Sequence, residues 1–266
     1  MCLIIFSFNN DSTFFKKKEA SEKTFILLAN RDEFYDRPTT PMKWWGKTNK
    51  ILSGRDKLAG GTWFGVSEGG KFAALTNFKE RSEKDSYLVS RGELVLNYLN
   101  AKNCSAKEYL TKIDKEKYAG FSLLMGDSKG IFFLSNRSDE SIPLHKGDHV
   151  LANQLLNTPT KKVEKTRQDF ALFSTLSFEI TSAIEFMRSE TNTINLLNIE
   201  KIIQKDEEEL PLRFITSKLY GTRSTTIFSI DTNGVYEVSE QTYNNGGIKG
   251  KRRDFKFNPN ASSPLL

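Results

Sequence analysis

The chain has 266 residues, 38% hydrophobic and 27% charged, with 39 Lys+Arg against 33 Asp+Glu for a net charge of +6. That is the composition of an ordinary globular protein, and no apolar run approaches the ~20 residues of a membrane-spanning helix. Twenty Phe, eight Tyr and three Trp exclude a disordered chain, and two cysteines, Cys2 and Cys104, make neither a disulfide framework nor a Cys-x-x-Cys metal ribbon.

The chain is apolar from Met1 to Phe8 and basic only afterwards, at Lys16-Lys17-Lys18. A secretory signal has the reverse order, so this segment reads as a buried first strand of a cytosolic protein in a reducing compartment. Residues 24 to 29 (TFILLA) read as a second strand. Residues 61 to 67 and 71 to 77 flank Glu68-Gly69-Gly70, a hairpin signal. Gly60-Gly61 reads as a tight turn leading into the first of these strands.

Ser90-x-x-Glu93 and Ser105-x-x-Glu108 read as capping boxes that open helices of about ten residues. A hairpin of 121 to 126 with 131 to 135 follows, around Asp127 to Gly130. Thr158-Pro159 supplies a cap and a first-turn proline for an amphipathic helix running to about Leu176. Leu196, Leu197, Ile199, Ile202 and Ile203 form a one-sided stripe that predicts a helix over 194 to 206. A last hairpin pairs 223 to 230 with 235 to 240 across Asp231-Thr232-Asn233-Gly234.

Repeated hairpins mean antiparallel sheets, and helices set between strand-rich ends make the class α+β. Neither a Pro/Ser linker nor a repeat interrupts the chain, so one domain is expected over residues 1–258 with a frayed tail at 259–266. The cations at Lys16 to Lys18 and at Lys249, Lys251, Arg252 and Arg253 lie in no nucleic-acid reader motif, so no nucleic-acid partner is expected.

Several residues have chemical potential. If Met1 is removed, Cys2 becomes an amino-terminal nucleophile whose own amine, with an unperturbed pKa of about 7.7–8.0, serves as base. A small buried hydrophobe at a strand start is the simpler reading of the same residue. Asn30-Arg31-Asp32-Glu33 places four polar groups after an apolar strand, too many to bury cheaply, which predicts a loop or site rim. There Arg31 can grip a carboxylate or phosphate, and Asp32 or Glu33 can orient the Cys2 amine.

Asn153, after Val150-Leu151-Ala152, is a usable oxyanion donor, or a turn residue. Asn77, ending one predicted strand, and Arg223, opening another, are similar candidates. His145 and His149 flank Gly147, which predicts a turn, and no third ligand stands nearby for a metal.

Together these pieces carry a resemblance. Cys2-Leu3-Ile4-Ile5-Phe6, Asn30-Arg31-Asp32-Glu33-Phe34-Tyr35, Gly60-Gly61-Thr62-Trp63-Phe64-Gly65 and Ala73-Ala74-Leu75-Thr76-Asn77 look like the NRDE family of Transport and Golgi organisation protein 2 homologues. The likeness continues through Ser90-Arg91-Gly92-Glu93-Leu94, Asn153-x-x-Leu156-x-Thr158-Pro159 and Tyr220-Gly221-Thr222-Arg223-Ser224-Thr225-Thr226, in order over nearly the whole chain.

The resemblance implies a four-layer αββα sandwich, two antiparallel sheets between helix layers, like that of N-terminal-nucleophile hydrolases. It implies Cys2 as nucleophile, Arg31 and Asp32 as its partners and Asn153 as oxyanion donor, with Asn30, Glu33, Asn77 and Arg223 lining the ligand site. In the related hydrolases the Arg and Asp are spaced apart. Here they are adjacent, and on an extended backbone their side chains diverge. The family is also associated with moving haem from storage or synthesis sites, with Golgi organisation and secretion, and with mitochondrial and lipid or acyl-CoA homeostasis.

Three functions therefore follow from the sequence. The first is an intracellular carrier of haem or another amphipathic anion, cytoplasmic with mitochondrial and Golgi association and peripheral contact with organelle membranes. With no Cys-x-x-Cys-His motif, such haem is transported cargo and not a covalent cofactor. The second is an N-terminal-cysteine amidohydrolase or acyl-CoA thioesterase. The third is a trafficking scaffold with a vestigial site.

Overall fold

The computed structural model describes residues 2–8, 23–47, 50–78, 89–138, 142–174, 178–189, 191–193 and 213–259. The first strands are β1 (Cys2–Phe8), β2 (Lys23–Phe34), β3 (Thr39–Trp45), β4 (Ile51–Asp56), β5 (Phe64–Ser67) and β6 (Phe72–Asn77). Then come helices α1 (Gly92–Asn100) and α2 (Ala106–Leu110), followed by β7 (Phe121–Asp127), β8 (Gly130–Ser135), β9 (Ile142–Pro143) and β10 (Gly147–Leu151). Helices α3 (Lys161–Phe173) and α4 (Ile180–Arg188) precede β11 (Thr191–Thr193), β12 (Phe214–Thr216), β13 (Tyr220–Asp231), β14 (Tyr236–Asn244) and β15 (Ile248–Phe257).

The chain divides into two compact units. The first comprises Met1–Asp36, Lys146–Ala152 and Asn157–Leu266, the second Arg37–His145 and Asn153–Leu156. In the first unit the strand order is β10-β1-β2-β13-β12-β11, and β14 and β15 extend the sheet from β13. All pairs are antiparallel except β11 with β12. β2 lies between β1 and β13, and its apolar run is buried at every position from Phe25 to Ala29.

Alternation along the strands sorts the side chains. Leu3, Ile5, Ile26, Leu28 and Ile227 share one face with Val163 and Phe170 of α3 and with Ala183, Ile184 and Met187 of α4. Phe170 is fully buried there, and its replacement by Ala carries the ~3–5 kcal/mol cost of a large core cavity.

The second unit is an antiparallel meander, β3-β4-β5-β6-β7-β8-β9. α1 and α2 lay Leu94, Val95, Tyr98, Leu99, Ala106 and Leu110 on Ile51, Ala73, Leu75, Leu123 and Met125.

The three expected hairpins form, as β5–β6, β7–β8 and β13–β14. The Ser105–Glu108 capping box is present, with Glu108 N–H donating to Ser105 Oγ at 3.3 Å and Ser105 N–H to the Glu108 carboxylate at 2.7 Å. Other expectations need correction. Ser90 and Glu93 form no capping box: the cap position of α1 falls on Arg91, and the Ser90 Oγ accepts instead from the Gly92 N–H at 3.3 Å. The cap of α3 is Thr160, not Thr158, with Val163 N–H donating to its hydroxyl. The Asn30 to Glu33 run is no loop; it continues β2 as strand. His149 is likewise in a strand, β10, where its ring stacks on Phe6. The expected helix over 194–206, the Lys16 to Lys18 run and the tail beyond Pro259's neighbour Asn258 fall largely outside the described residues.

Candidate functional site

β2 can carry a polar run at its end because both neighbouring strands supply partners. Cys2 of β1 is in register with Arg31, and Thr222 of β13 is in register with Asp32. Asn30, Arg31 and Asp32 are 1%, 5% and 4% exposed, so three polar side chains are buried in succession. Burial of this kind requires hydrogen bonds or opposite charge for each group.

Asn30 obtains them from its surroundings. Its Nδ2 donates to the carbonyls of Met187 (3.0 Å) and Arg213 (2.8 Å), and its Oδ1 accepts from Thr225 Oγ1 (2.6 Å). The residue expected to contact ligand therefore ties the end of α4 and the start of β12 to the central strand.

The backbone of β2 is extended, so Arg31 and Asp32 diverge. Arg31 shares a face with its register partner Cys2 and with Glu33, whose carboxylate lies 3.9 Å from Nη2. Asp32 lies on the face of the sheet that carries α3. Thr222 Oγ1 donates to its Oδ1 at 2.7 Å, and Tyr220 Oη donates to its backbone carbonyl at 3.0 Å.

Electrostatics couple the two faces. Burial pushes the Cys2 thiol above its ordinary value of 9.0, and the Asp32 carboxylate adds to that rise. The backbone N–H of Asp32, donating to the sulfur, and the Arg31 cation act against it. Burial also pushes the Asp32 carboxyl above 3.8, opposed by the Lys162 cation, the Thr222 hydroxyl and Arg31. The Tyr220 phenol is held well above 10.0, by burial first and then by the negative charge of Asp32. Cys2, Arg31, Asp32, Tyr220, Thr222 and Lys162 thus form one interacting group within the first unit.

Lys162 and Thr222 were not singled out in the sequence. Lys162, only 3% exposed, sits at the start of α3 in line with Thr166 and Phe170, one turn and two turns on. Its place on the buried stripe was the available signal, hidden because Lys161 precedes it and the pair reads as a solvated end.

Arg223 is the extra residue where the β13–β2 register shifts, between Thr222 and Ser224. Such a bulge re-aims a side chain. Its Nη1 donates to the Phe34 carbonyl at 2.6 Å, and the guanidinium lies 6.0 Å from the Tyr35 ring centroid. Asn77 and Asn153 are brought together in the second unit, where Asn153 Nδ2 donates to the Asn77 carbonyl at 2.8 Å. His145 and His149 gain no metal-ligand company: no cluster of three His, Cys, Asp or Glu suited to a metal occurs among the described residues.

A protonated sulfur beside a guanidinium, with a buried carboxyl and ammonium on the opposite face of the sheet, can act in two ways. It can attack a carbonyl when a base takes its proton, or the cations can hold an anionic group near it.

Comparison with known proteins adds to this geometry. The family model described as Transport and Golgi organisation 2 matches residues 1–245. A Transport and Golgi organization 2 homolog from Mus musculus is 34% identical over 276 residues, covering 91% of this chain and 93% of that protein. The Homo sapiens homolog is 32% identical over 275 residues, with the same coverage of 91% and 93%. Among solved structures, the Caenorhabditis elegans ortholog of N-acylethanolamine-hydrolyzing acid amidase aligns with a TM-score of 0.51 at 12% identity, covering 85% of this chain and 92% of that one. At that identity the likeness concerns the fold, and the expected N-terminal-nucleophile-hydrolase-like class is borne out.

Proposed function

This chain belongs to the Transport and Golgi organisation 2 family, and from that premise we propose that its Cys2 centre handles acyl groups, acting as an N-terminal-cysteine hydrolase on a fatty acyl amide or acyl-CoA thioester. The observation that carries the reading is the register of β1 on β2, which sets Cys2 opposite Arg31 with the Asp32 N–H on its sulfur. The amidase of similar fold supports an acyl substrate class.

In this reading Met1 is removed and the freed Cys2 amine takes the thiol proton. The sulfur adds to the acyl carbonyl, the amine or CoA thiol leaves with the proton, and water releases the fatty acid from Cys2. Arg31 neutralises the anionic part of the substrate, and Asp32 steadies the ammonium that forms. The biological setting is lipid and acyl-CoA homeostasis in the cytoplasm and at mitochondrial and Golgi membranes.

A second reading has its own support. Burial keeps the Cys2 thiol protonated at neutral pH while Arg31, on the same face of the sheet, brings a buried cation beside it. That combination suits non-covalent retention of an amphipathic anion, and haem with its propionates is the cargo this reading assigns.

One experiment separates the two. The intact mass of natively started protein is measured before and after incubation with a long-chain acyl-CoA and with haem. Loss of Met1 with an acyl adduct on Cys2, absent in Cys2→Ala, supports the hydrolase. Met1 retained, with a saturable haem complex and no adduct, overturns it in favour of the carrier.

A further inference from the structure

The second unit contains a pocket unrelated to Cys2. β3 pairs with β4 so that Thr40 stands opposite Arg55 and Lys43 opposite Ser53, with a register shift between the two pairs. The shift draws residues 40 and 43 onto one side of the ladder, beside Trp45. These five residues, Thr40, Lys43, Trp45, Ser53 and Arg55, line a cavity of about 180 Å³. A drug-sized ligand fills ~300–1,000 Å³, so this one suits a compact head group.

Trp45 and Ser53 form the held part of the wall, and the charge of the lining is of one sign. Trp45 packs on the helix-bearing core, and its indole N–H donates to Ser53 Oγ at 2.8 Å. The Arg55 guanidinium lies 4.7 Å from the Trp45 ring centroid, and its Nε donates to the Gly60 carbonyl at 3.2 Å. Among the described residues neither Lys43 Nζ nor the terminal nitrogens of Arg55 has a hydrogen bond or ion pair. Among the described residues no carboxylate lines the cavity. Asp56, next along β4, accepts from Arg37 Nε at 2.7 Å and from the N–H groups of Leu58 and Ala59.

We propose that this pocket binds a phosphate group, presented by a phosphomonoester. Its donors are the Arg55 fork, the Lys43 ammonium and the hydroxyls of Thr40 and Ser53. They exceed what the two oxygens of a carboxylate can accept and match the three terminal oxygens of a phosphomonoester. The same chemistry is offered by a soluble phosphate ester and by the head group of phosphatidic acid. The proposal is independent of what happens at Cys2.

The test follows the Trp45 indole N–H resonance of the full chain, identified through Trp45→Phe, during titration with inorganic phosphate. A saturable shift is expected, weakened about tenfold or more in Lys43→Ala and in Arg55→Ala, as the loss of one charge-assisted hydrogen bond implies. Lys107→Ala, at an exposed position of α2, leaves it unchanged. In parallel, the chain is sedimented with phosphatidylcholine vesicles with and without phosphatidic acid. Binding that requires phosphatidic acid and is lost in the same two variants identifies the lipid as source. A phosphate shift without vesicle binding identifies a soluble ester. No shift, or one of equal strength in all variants, overturns the proposal and leaves Lys43 as a charge guarding an edge strand.

Discussion

Thr222 Oγ1 donates to Asp32 Oδ1 at 2.7 Å and at the same time accepts the backbone N–H of Ile215 at 3.0 Å. One fully buried hydroxyl therefore ties a buried carboxyl to β12 across the strand between them. Thr222→Val keeps the shape and removes both bonds. At ~1–3 kcal/mol for each of the two buried bonds removed, it should cost about 2–6 kcal/mol. Urea unfolding measures the loss, and Thr222→Ser should restore most of it. An unchanged midpoint would show that the hydroxyl contributes nothing to the fold.

The raised Asp32 carboxyl has a pH signature. Burial holds its folded pKa above 3.8, so the folded state keeps a proton that the unfolded chain has already released. The native state thus binds more protons in that window, and its stability falls as pH rises from 3.8 through the folded value. Asp32→Asn abolishes this titration. The stability of the variant relative to the parent should therefore improve as pH is raised from below 3.8 to neutrality, whatever its absolute value. A difference that is flat with pH, or that moves the other way, contradicts a raised carboxyl.

Much of the sheet topology was legible because hairpins advertise themselves locally. Glu68-Gly69-Gly70 and Asp231 to Gly234 each lie between alternating apolar runs, and both turns form. β3, β4 and β15 were not read. β15 is mostly exposed and rich in cations, so it carries no apolar signal and owes its pairing to β14. The helix α4 was also missed, since it has no side-chain cap. At the site, Cys2 and the Asn30 to Glu33 run stood out by residue type, but their burial did not. Polar residues look like a loop until the partners are known, and Thr222, Thr225 and Met187 are more than 150 positions away in sequence. The Gly60-Gly61 turn was legible, its reason was not: a Cβ on Gly61 would lie 2.7 Å from the Gly92 Cα, a contact between the turn and the first turn of α1.

Within the Asn30 to Glu33 run the structural load is unequal, and substitution should show it. Asn30→Ala strips donors from two buried carbonyls and an acceptor from Thr225. At ~1–3 kcal/mol for each of the two stranded carbonyls, the loss should be about 2–6 kcal/mol. Glu33→Gln, on a partly exposed side chain whose carboxylate is 3.9 Å from Arg31, should stay within ~1 kcal/mol. Denaturant midpoints of the two variants decide this. Comparable losses would mean that the run is held as a unit and not through Asn30.

Lys162 provides the last test, because it acts on Asp32 from a different element. The charge of a buried ammonium favours the ionised carboxyl and so opposes the rise that burial imposes. Lys162→Met retains the apolar stem beside Thr166 and Phe170 while removing the charge. The Asp32 carboxyl should then titrate at a higher pH than in the parent, as followed by NMR of its side-chain carbon. Lys162→Arg, which restores a cation, should return the titration toward the parent value. If Met and Arg leave Asp32 where it was, Lys162 is buried for packing alone and the charge set around Cys2 is smaller than the geometry indicates.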